Sequence, residues 1–469
     1  SQEVIKLIRL MKNELKKLLK KKSFYIVTFI FILFCILTNI IYKTGLDYVI
    51  DSDVDISELE AENKDLDLTI DENLLVYVEN LTTIERERLK NEYSSIIASY
   101  LIDNYLTTTI YNMYEAEYIL EDSELYQMYY NELQNDLELV EDNNWEYFLN
   151  ERISYLEERC NTTTGVENTR YNRLLELAQY RRDNHIPYDT DNYLHNSLAF
   201  IEENTFEYIN LLNDDAKTKE EEERLDYLEE QMSIHEYVLE HQEDILNESD
   251  LRSVLINFSQ EFGIFILIYV IMMAGSIVSE EYSRGTIKYL LTKPFRRSTI
   301  LTSKLLVVLL LIPSIMIFMS LMEILIGGII LGFSSLSVPV VLFSDGAITT
   351  YSVIGYLVSE FLSIIPMYLV IGLLAFMIST LTASTSAAIT VSFLFYLLGN
   401  VISNLALVYN LPIFRTCVSL YWNFSYLVTN STQPYGASLT TSIIVILIYI
   451  VIMLFVSYLF FSKKDVKNI

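Results

Sequence analysis

Metal-ligating and redox-active residues are scarce in this chain. Three cysteines (Cys35, Cys160, Cys417) and four histidines (His185, His195, His235, His241) are spread over 469 residues. Cys35 lies in an apolar run and Cys160 stands alone among acids, so a Cys160–Cys417 bridge is the one formal pairing and no disulfide framework exists. His235-Glu236 opens like a zinc-protease motif, but the next histidine, His241, comes six residues on. That spacing is about 600° of helical rotation, so the two imidazoles do not share a face. The chain has no Gly-rich phosphate loop and no G-x-S-x-G elbow. The stretch 51–57 (DSDVDIS) lacks the glycine and terminal glutamate of a calcium loop. These absences exclude nucleotide binding by a P-loop in this chain and argue against an enzyme acting alone. Helix breakers are also few: between 43 and 256 there are one proline, Pro187, and two glycines, Gly45 and Gly165. That scarcity predicts helices there.

What is present is segregated. The chain carries a net charge of −29 yet has a positive mean hydropathy of +0.28. The two agree only if apolar and acidic parts are separate. Residues 43–256 hold 15 basic and 53 acidic side chains, and the remainder holds 18 basic and 9 acidic ones. One soluble globule is excluded, and so is nucleic-acid binding through a basic face.

Six apolar runs are long enough to cross about 30 Å of hydrocarbon. They fall at about 24–42, 262–278, 300–333, 352–378, 387–408 and 439–461. Pro313 and Pro366 lie inside the third and fourth, where kinks are expected. With six spans and both termini cytoplasmic, 17 of the 18 basic residues outside the acidic block fall on the cytoplasmic side, with Arg415 as the exception. The acidic block is then extracellular. The first 22 residues have no small-residue cleavage site and do not read as a signal peptide. Instead Val4, Leu7, Ile8, Met11, Leu15, Leu18 and Leu19 recur at helical spacing opposite lysines, predicting an amphipathic helix at the cytoplasmic interface.

Residues 43–256 read as a mostly helical extracytoplasmic domain large enough to enclose its own core. Leu225, Met232, Leu239 and Leu246 repeat every seven residues, with His235 and Gln242 interrupting the seam, which suggests an antiparallel helical hairpin or a short coiled coil. Leu137, Val140, Phe148, Leu149, Ile153 and Leu156 form a further amphipathic stretch. Residues 51–73 are acidic enough for their start to be disordered. The segment 247–250 offers an N-cap for a helix running continuously into the second span. So acidic a field favours cationic ligands, a cationic peptide among them; a merely solvated surface explains it equally.

After the second span the chain reads IVSEEYSRGTIKYLLTKPFRRSTILTSKLL, residues 277–306. Gly285 permits a turn at the membrane edge, Pro294 stops a short helix, and Glu280 and Glu281 can pair with Arg284, with Lys288 or with basic residues of a partner. The run Ser279-Glu280-Glu281, Arg284-Gly285-Thr286, Leu290-Leu291 and Lys293-Pro294, followed by Arg296-Arg297 and Lys304, resembles the first cytoplasmic loop of ABC-2-type permeases, the membrane subunits of ABC exporters. The N-terminal K-N-E-L-K-K and K-K-S-F-Y patterns are similar to the interfacial helix of that family. The resemblance covers the first 42 residues and 257–469; the block between is not typical of the smallest members.

The resemblance implies an all-α membrane protein with six transmembrane helices of ABC-2 exporter type plus a mostly helical extracytoplasmic domain. Its parts would be an interfacial helix (1–22), a first span (23–42), the acidic domain (43–256) and a membrane domain (257–469) with a coupling loop at 279–300. It implies docking of two copies of a separate ATPase, which would carry ATP and Mg, through Glu280, Glu281, Arg284, Gly285, Thr286, Lys288 and Pro294. It also implies a second permease chain, identical or related, and no cofactor or metal in this chain. Thr380–Thr385 matches the family's short uncharged second loop, and 410–438, with Pro412, Trp422, Phe424 and Pro434, matches its short re-entrant outer helices.

Polar groups inside spans need a reason. Glu323 either lines a polar pathway or pairs within the bundle, while Glu360 is explained by snorkelling. Asn400, Ser403 and Asn404 share a face of the fifth span, and by resemblance spans two and five border the route. Amide-mediated helix packing is the competing account. The reading that results is a permease subunit in the plasma membrane, bathed in membrane lipids, exporting a peptide or other amphipathic compound. The alternative is a membrane-anchored sensor or mechanotransmitter whose outer helices bind a ligand without transport.

Overall fold

The computed structural model describes residues 2–44, 56–66, 68–69, 71–214, 216–287, 296–344, 346–409, 416–429 and 438–463. The chain divides into two compact units: residues 1–46 with 247–469, and residues 47–246.

The first unit begins with α1 (Gln2–Leu19) and α2 (Lys22–Thr44). Among the described residues, six helices are long and apolar enough to cross a membrane, α2 among them. The apolar face predicted for α1 is divided: Leu18 is buried and Met11 packs on the core, whereas Ile8, Leu15 and Leu19 are exposed. Glu14, between Met11 and Leu18 on the inner side, is also buried.

The second unit is helical throughout its described residues: α3 (Ile56–Asp65), α4 (Asp71–Glu92), α5 (Ile96–Leu101) continued by a π turn at Ile102–Leu106, α6 (Thr107–Tyr118), α7 (Ser123–Glu141), α8 (Trp145–Thr162), α9 (Val166–Asp183), α10 (Tyr193–Asn213) and α11 (Lys219–His241). Its larger core joins Leu101, Ile110, Leu137, Phe148, Ile153 and Tyr188. The stretch 137–156 does bury all six of its predicted apolar residues, but on two helices separated at Asn143, which has a φ of +51°. Helices α10 and α11 form the expected hairpin: His235 stacks on Phe200 at 4.2 Å and Arg224 reaches Glu207, so early residues of one meet late residues of the other. A capping box at Thr218 and Glu221 starts α11. The seven-residue repeat overreaches, because Gln242 takes a left-handed conformation and ends the helix before Leu246. Residues 56–65, within the stretch whose start was expected to lack order, are helical.

Back in the first unit, Asp250 caps α12 (Leu251–Ile256), its carboxylate accepting from the Ser253 amide at 2.8 Å. The expected continuous helix into the second span is interrupted: Asn257 (φ −89°, ψ 9°) breaks it and α13 (Phe258–Ser283) starts anew. The third span, α14 (Arg297–Leu331), keeps Pro313 inside one uninterrupted helix. A β-hairpin follows, β1 (Val340–Ser344) pairing antiparallel with β2 (Ala347–Tyr351). Helices α15 (Val353–Thr382, with Pro366 inside), α16 (Thr385–Tyr409) and α17 (Leu439–Lys463) complete the set.

Small residues let these helices approach closely, as membrane bundles require. A Cβ on Gly372 of α15 would meet Val270 of α13 at 3.0 Å, and one on Gly275 of α13 would meet Ala388 of α16 at 3.2 Å. Phe31 and Phe34 of α2 pack edge-on against Phe262 of α13. Of 410–438, the described part holds a 3-10 turn (Val418–Leu420) and one helical turn (Tyr426–Thr429), with Trp422 and Phe424 buried; Pro412 and Pro434 lie outside the described residues. The three cysteines are free, and no metal-holding group of side chains exists among the described residues.

Candidate functional site

The site grows from the end of α13. The helix stops because Gly285 adopts a φ of +67°, which only glycine takes without strain, and its amide donates to the Tyr282 carbonyl at 3.1 Å. Just before that turn, Glu280 and Glu281 point inward. Lys21, in the link between α1 and α2, pairs with Glu280 at 2.7 Å, and Arg284 joins the same carboxylate at 3.5 Å. Lys17 of α1 donates to Glu281 at 2.7 Å and to Glu14 at 3.3 Å. Lys304, on α14, completes the knot. Its side chain is 1% exposed; it donates to Glu14 at 2.7 Å and to the Ile277 carbonyl at 2.8 Å, with Glu281 at 3.6 Å. The Thr286 hydroxyl donates to the second oxygen of Glu281.

Two cations, Lys17 and Lys304, thus share two buried carboxylates, Glu14 and Glu281, where α1, α13 and α14 meet. Burial of a charged pair is favourable only when hydrogen bonds complete it, and here each carboxylate has more than one donor. Burial alone would lower the Lys17 amine, but the hydrogen bonds and charges of Glu281 and Glu14 together outweigh it and the net direction is up. Burial draws Lys21 below its usual value, and Glu280 offsets this only in part.

The knot is tied to the opposite loop as well. The Ser279 amide donates to the Ser379 hydroxyl at 3.0 Å, and the Ser279 and Thr385 hydroxyls are 2.6 Å apart. Ala383, at a φ of +54°, makes the tight turn between α15 and α16 that brings Thr385 there. Beside the knot, residues 17–23 and 280–286 border an open cleft of about 690 Å³.

Of the residues predicted for docking, Arg284, Gly285 and Thr286 are exposed at the turn, and Glu280 is partly so. Glu281 requires a correction: its carboxylate is 9% exposed and engaged internally, so it is not presented to a partner here. The expected Glu280–Arg284 pairing is present, whereas Lys288 and Pro294 lie outside the described residues. Lys17 of α1 and Lys21 of the following link were missed as partners of the Glu pair, because no local spacing links residues more than 250 positions apart. Lys304, counted with the cytoplasmic cations although it falls within the third apolar run, lies inside a span-length helix.

The predicted pathway residues do not converge. Glu323 is fully buried between α2 and α14, accepting from the Asn39 amide at 2.6 Å, which favours pairing within the bundle. Asn400, Ser403 and Asn404 lie on α16, the first two half-buried and Asn404 exposed. Glu360 is buried rather than snorkelling.

Comparison with known proteins gives the following. The family model described as ABC-2 family transporter protein matches residues 8–466. The uncharacterized protein YhcI of Bacillus subtilis (strain 168) is 25% identical over 252 residues, which is 53% of this chain and 80% of that protein. No solved structure matches.

Proposed function

The chain belongs to the ABC-2 family of transporter proteins, and from that premise we propose that it is the permease half of an ATP-driven exporter. Family membership makes it a multi-pass membrane subunit of an ABC transporter, a class that works with a separate ABC ATPase. Two ATPase copies dock at the exposed turn 283–286 and the segment after it, including Lys288 and Pro294; a second permease chain, identical or related, completes the path. Both termini are cytoplasmic, and residues 43–256 face outward. ATP and Mg act on the ATPase, and this chain supplies no reacting group. The cargo is a peptide or other amphipathic compound, with a cationic peptide suited to the acidic outer unit. Asn400, Ser403 and Asn404 remain candidates for the path, whereas the Asn39 bond to Glu323 supports a packing role for that carboxylate.

The observation that carries this reading is the knot of Glu14, Lys17, Glu281 and Lys304 behind the turn. A push on Arg284 or Thr286 reaches α1 through Lys17 and Lys21, and α14 through Lys304. The first loop, the interfacial helix and the third span therefore move as a block, which is what transmission of ATPase closure needs.

Arg284 is the residue to reverse, because its side chain is 71% exposed and changing it leaves the buried knot intact. Arg284→Glu is expected to lower ATPase co-purification and stimulated hydrolysis several-fold while the protein still folds. Wild-type coupling in that variant would count against docking at this turn.

A further inference from the structure

We infer that the cleft between residues 17–23 and 280–286 binds the phosphate of an anionic phospholipid. The inference rests on Lys22–Thr44 being a membrane span, and not on the docking of an ATPase.

Charge is the first support. The cleft and the knot behind it bring six cations to three carboxylates. Every one of those carboxylates is already engaged: Glu14 and Glu281 by Lys17 and Lys304, Glu280 by Lys21 and Arg284. Lys20 and Lys22 are exposed at the cleft, and neither has an ion-pair partner among the described residues. A site with surplus cations whose internal acids are satisfied attracts an anion from outside.

Position decides which anion. Lys22 is the first residue of a span, so the cleft lies within about one helical turn of where the apolar stretch begins. Directly after it, Tyr25, Ile26, Phe29 and Ile30 of α2 are exposed, an apolar strip along which acyl chains can lie. On the other side, Leu15 and Leu19 of α1 are exposed too. A phosphate with two attached apolar chains satisfies all three surfaces; a free phosphate satisfies only the first. Lysines near a membrane surface each strengthen binding of anionic lipid appreciably. The bound phosphate would sit within reach of Lys21 and Arg284, the two cations that share Glu280, so lipid composition would bear on how firmly the turn is held.

The test is native mass spectrometry of the full chain, purified in detergent with equimolar phosphatidylglycerol and phosphatidylcholine. Wild type is expected to retain phosphatidylglycerol preferentially. Lys20→Gln with Lys22→Gln should weaken that preference about tenfold or more, with unchanged elution on size exclusion. Lys12→Gln with Lys16→Gln removes equal charge from exposed positions of α1 that do not line the cleft, and should leave the preference intact. Equal retention of both lipids by wild type, or equal loss in the two paired variants, would overturn the site in favour of diffuse surface attraction. Binding of inorganic phosphate alone as tightly as the lipid would assign the cleft to a free anion and overturn the lipid inference as well.

Discussion

Lys304 carries the most consequence of any single residue. Its ammonium is surrounded by Glu14, Glu281 and a carbonyl with almost no access to water. Removing one partner of such a cluster strands the others, at a cost of about 3–5 kcal/mol. Lys304→Met should therefore lower the thermal unfolding temperature of the detergent-solubilised protein, and adding Glu281→Gln should recover part of the loss. A Lys304→Met protein as stable as wild type would show that the knot is not structural. Two histidines in the outer unit give a second residue-scale expectation. His195, beside Arg181 at 3.0 Å, and His235, stacked on Phe200, are each lowered to about 4, mainly by burial. Unfolded, each takes up a proton near pH 6.5, so between about 6.5 and 4 the unfolded state binds more protons. Stability of this unit then falls on acidification, by at most about 1.4 kcal/mol per pH unit for each histidine, and is indifferent to these groups above neutral pH. Asp136, raised to about 6 by burial and by Glu132 and Glu151, works in the opposite sense and softens the slope. Hydrogen exchange of residues 174–239 in the intact protein at pH 7 and pH 5 reads this directly: protection should drop at pH 5, and less so in His235→Phe. Protection independent of pH would refute it. None of these environments was visible in the sequence, where His235 registered as an incomplete zinc-protease motif and a fault in a heptad, and Lys304 as one more cation of the first cytoplasmic loop.

At the scale of elements, the sequence was most informative where the physics is one-dimensional. Six hydropathic runs became six helices because a bilayer-length apolar stretch has no other stable conformation in lipid. Helix ends were less legible. Asn257 and Gln242 stop helices through backbone conformations that composition does not announce, so a continuous helix and an extended heptad were both expected wrongly. The hairpin at 340–351 was missed although its signal was present: Asp345-Gly346 stands between two short runs rich in β-branched and aromatic residues, and Gly346 has a φ of +73°. It was absorbed into the gap between two long apolar runs. The seam between α2 and α14 was also beyond sequence reasoning, since Asn39 and Glu323 are 284 residues apart. Gly327 makes that seam possible: a Cβ there would meet Leu251 at 2.6 Å and the Asn39 side chain at 2.7 Å. Gly327→Val is expected to cost about 1–3 kcal/mol by overpacking and to reduce the yield of folded protein. A variant with wild-type melting would mean that α2 and α14 do not pack as described.

At the scale of the whole molecule, the segregation of charge was the most legible property, and it anticipated a membrane part and an acidic part before any element was placed. The chemistry at the inner turn was half legible: the Glu pair, Arg284 and Gly285 stood out as a motif, but their partners in α1 and α14 could be found only in three dimensions. The proposal that this chain transmits work from a separate ATPase depends on the turn at 283–286 being a contact surface. Cysteine cross-linking tests that most directly. In a protein whose Cys160 and Cys417 are replaced by serine, Ser283→Cys puts a thiol at an exposed position beside Gly285. In cells that also make the cognate ATPase, a short bifunctional maleimide is expected to join the two chains, and a membrane-impermeant maleimide applied outside intact cells should leave the thiol unmodified. Labelling from outside, or the absence of any cross-linked ATPase under conditions in which transport proceeds, would contradict the account.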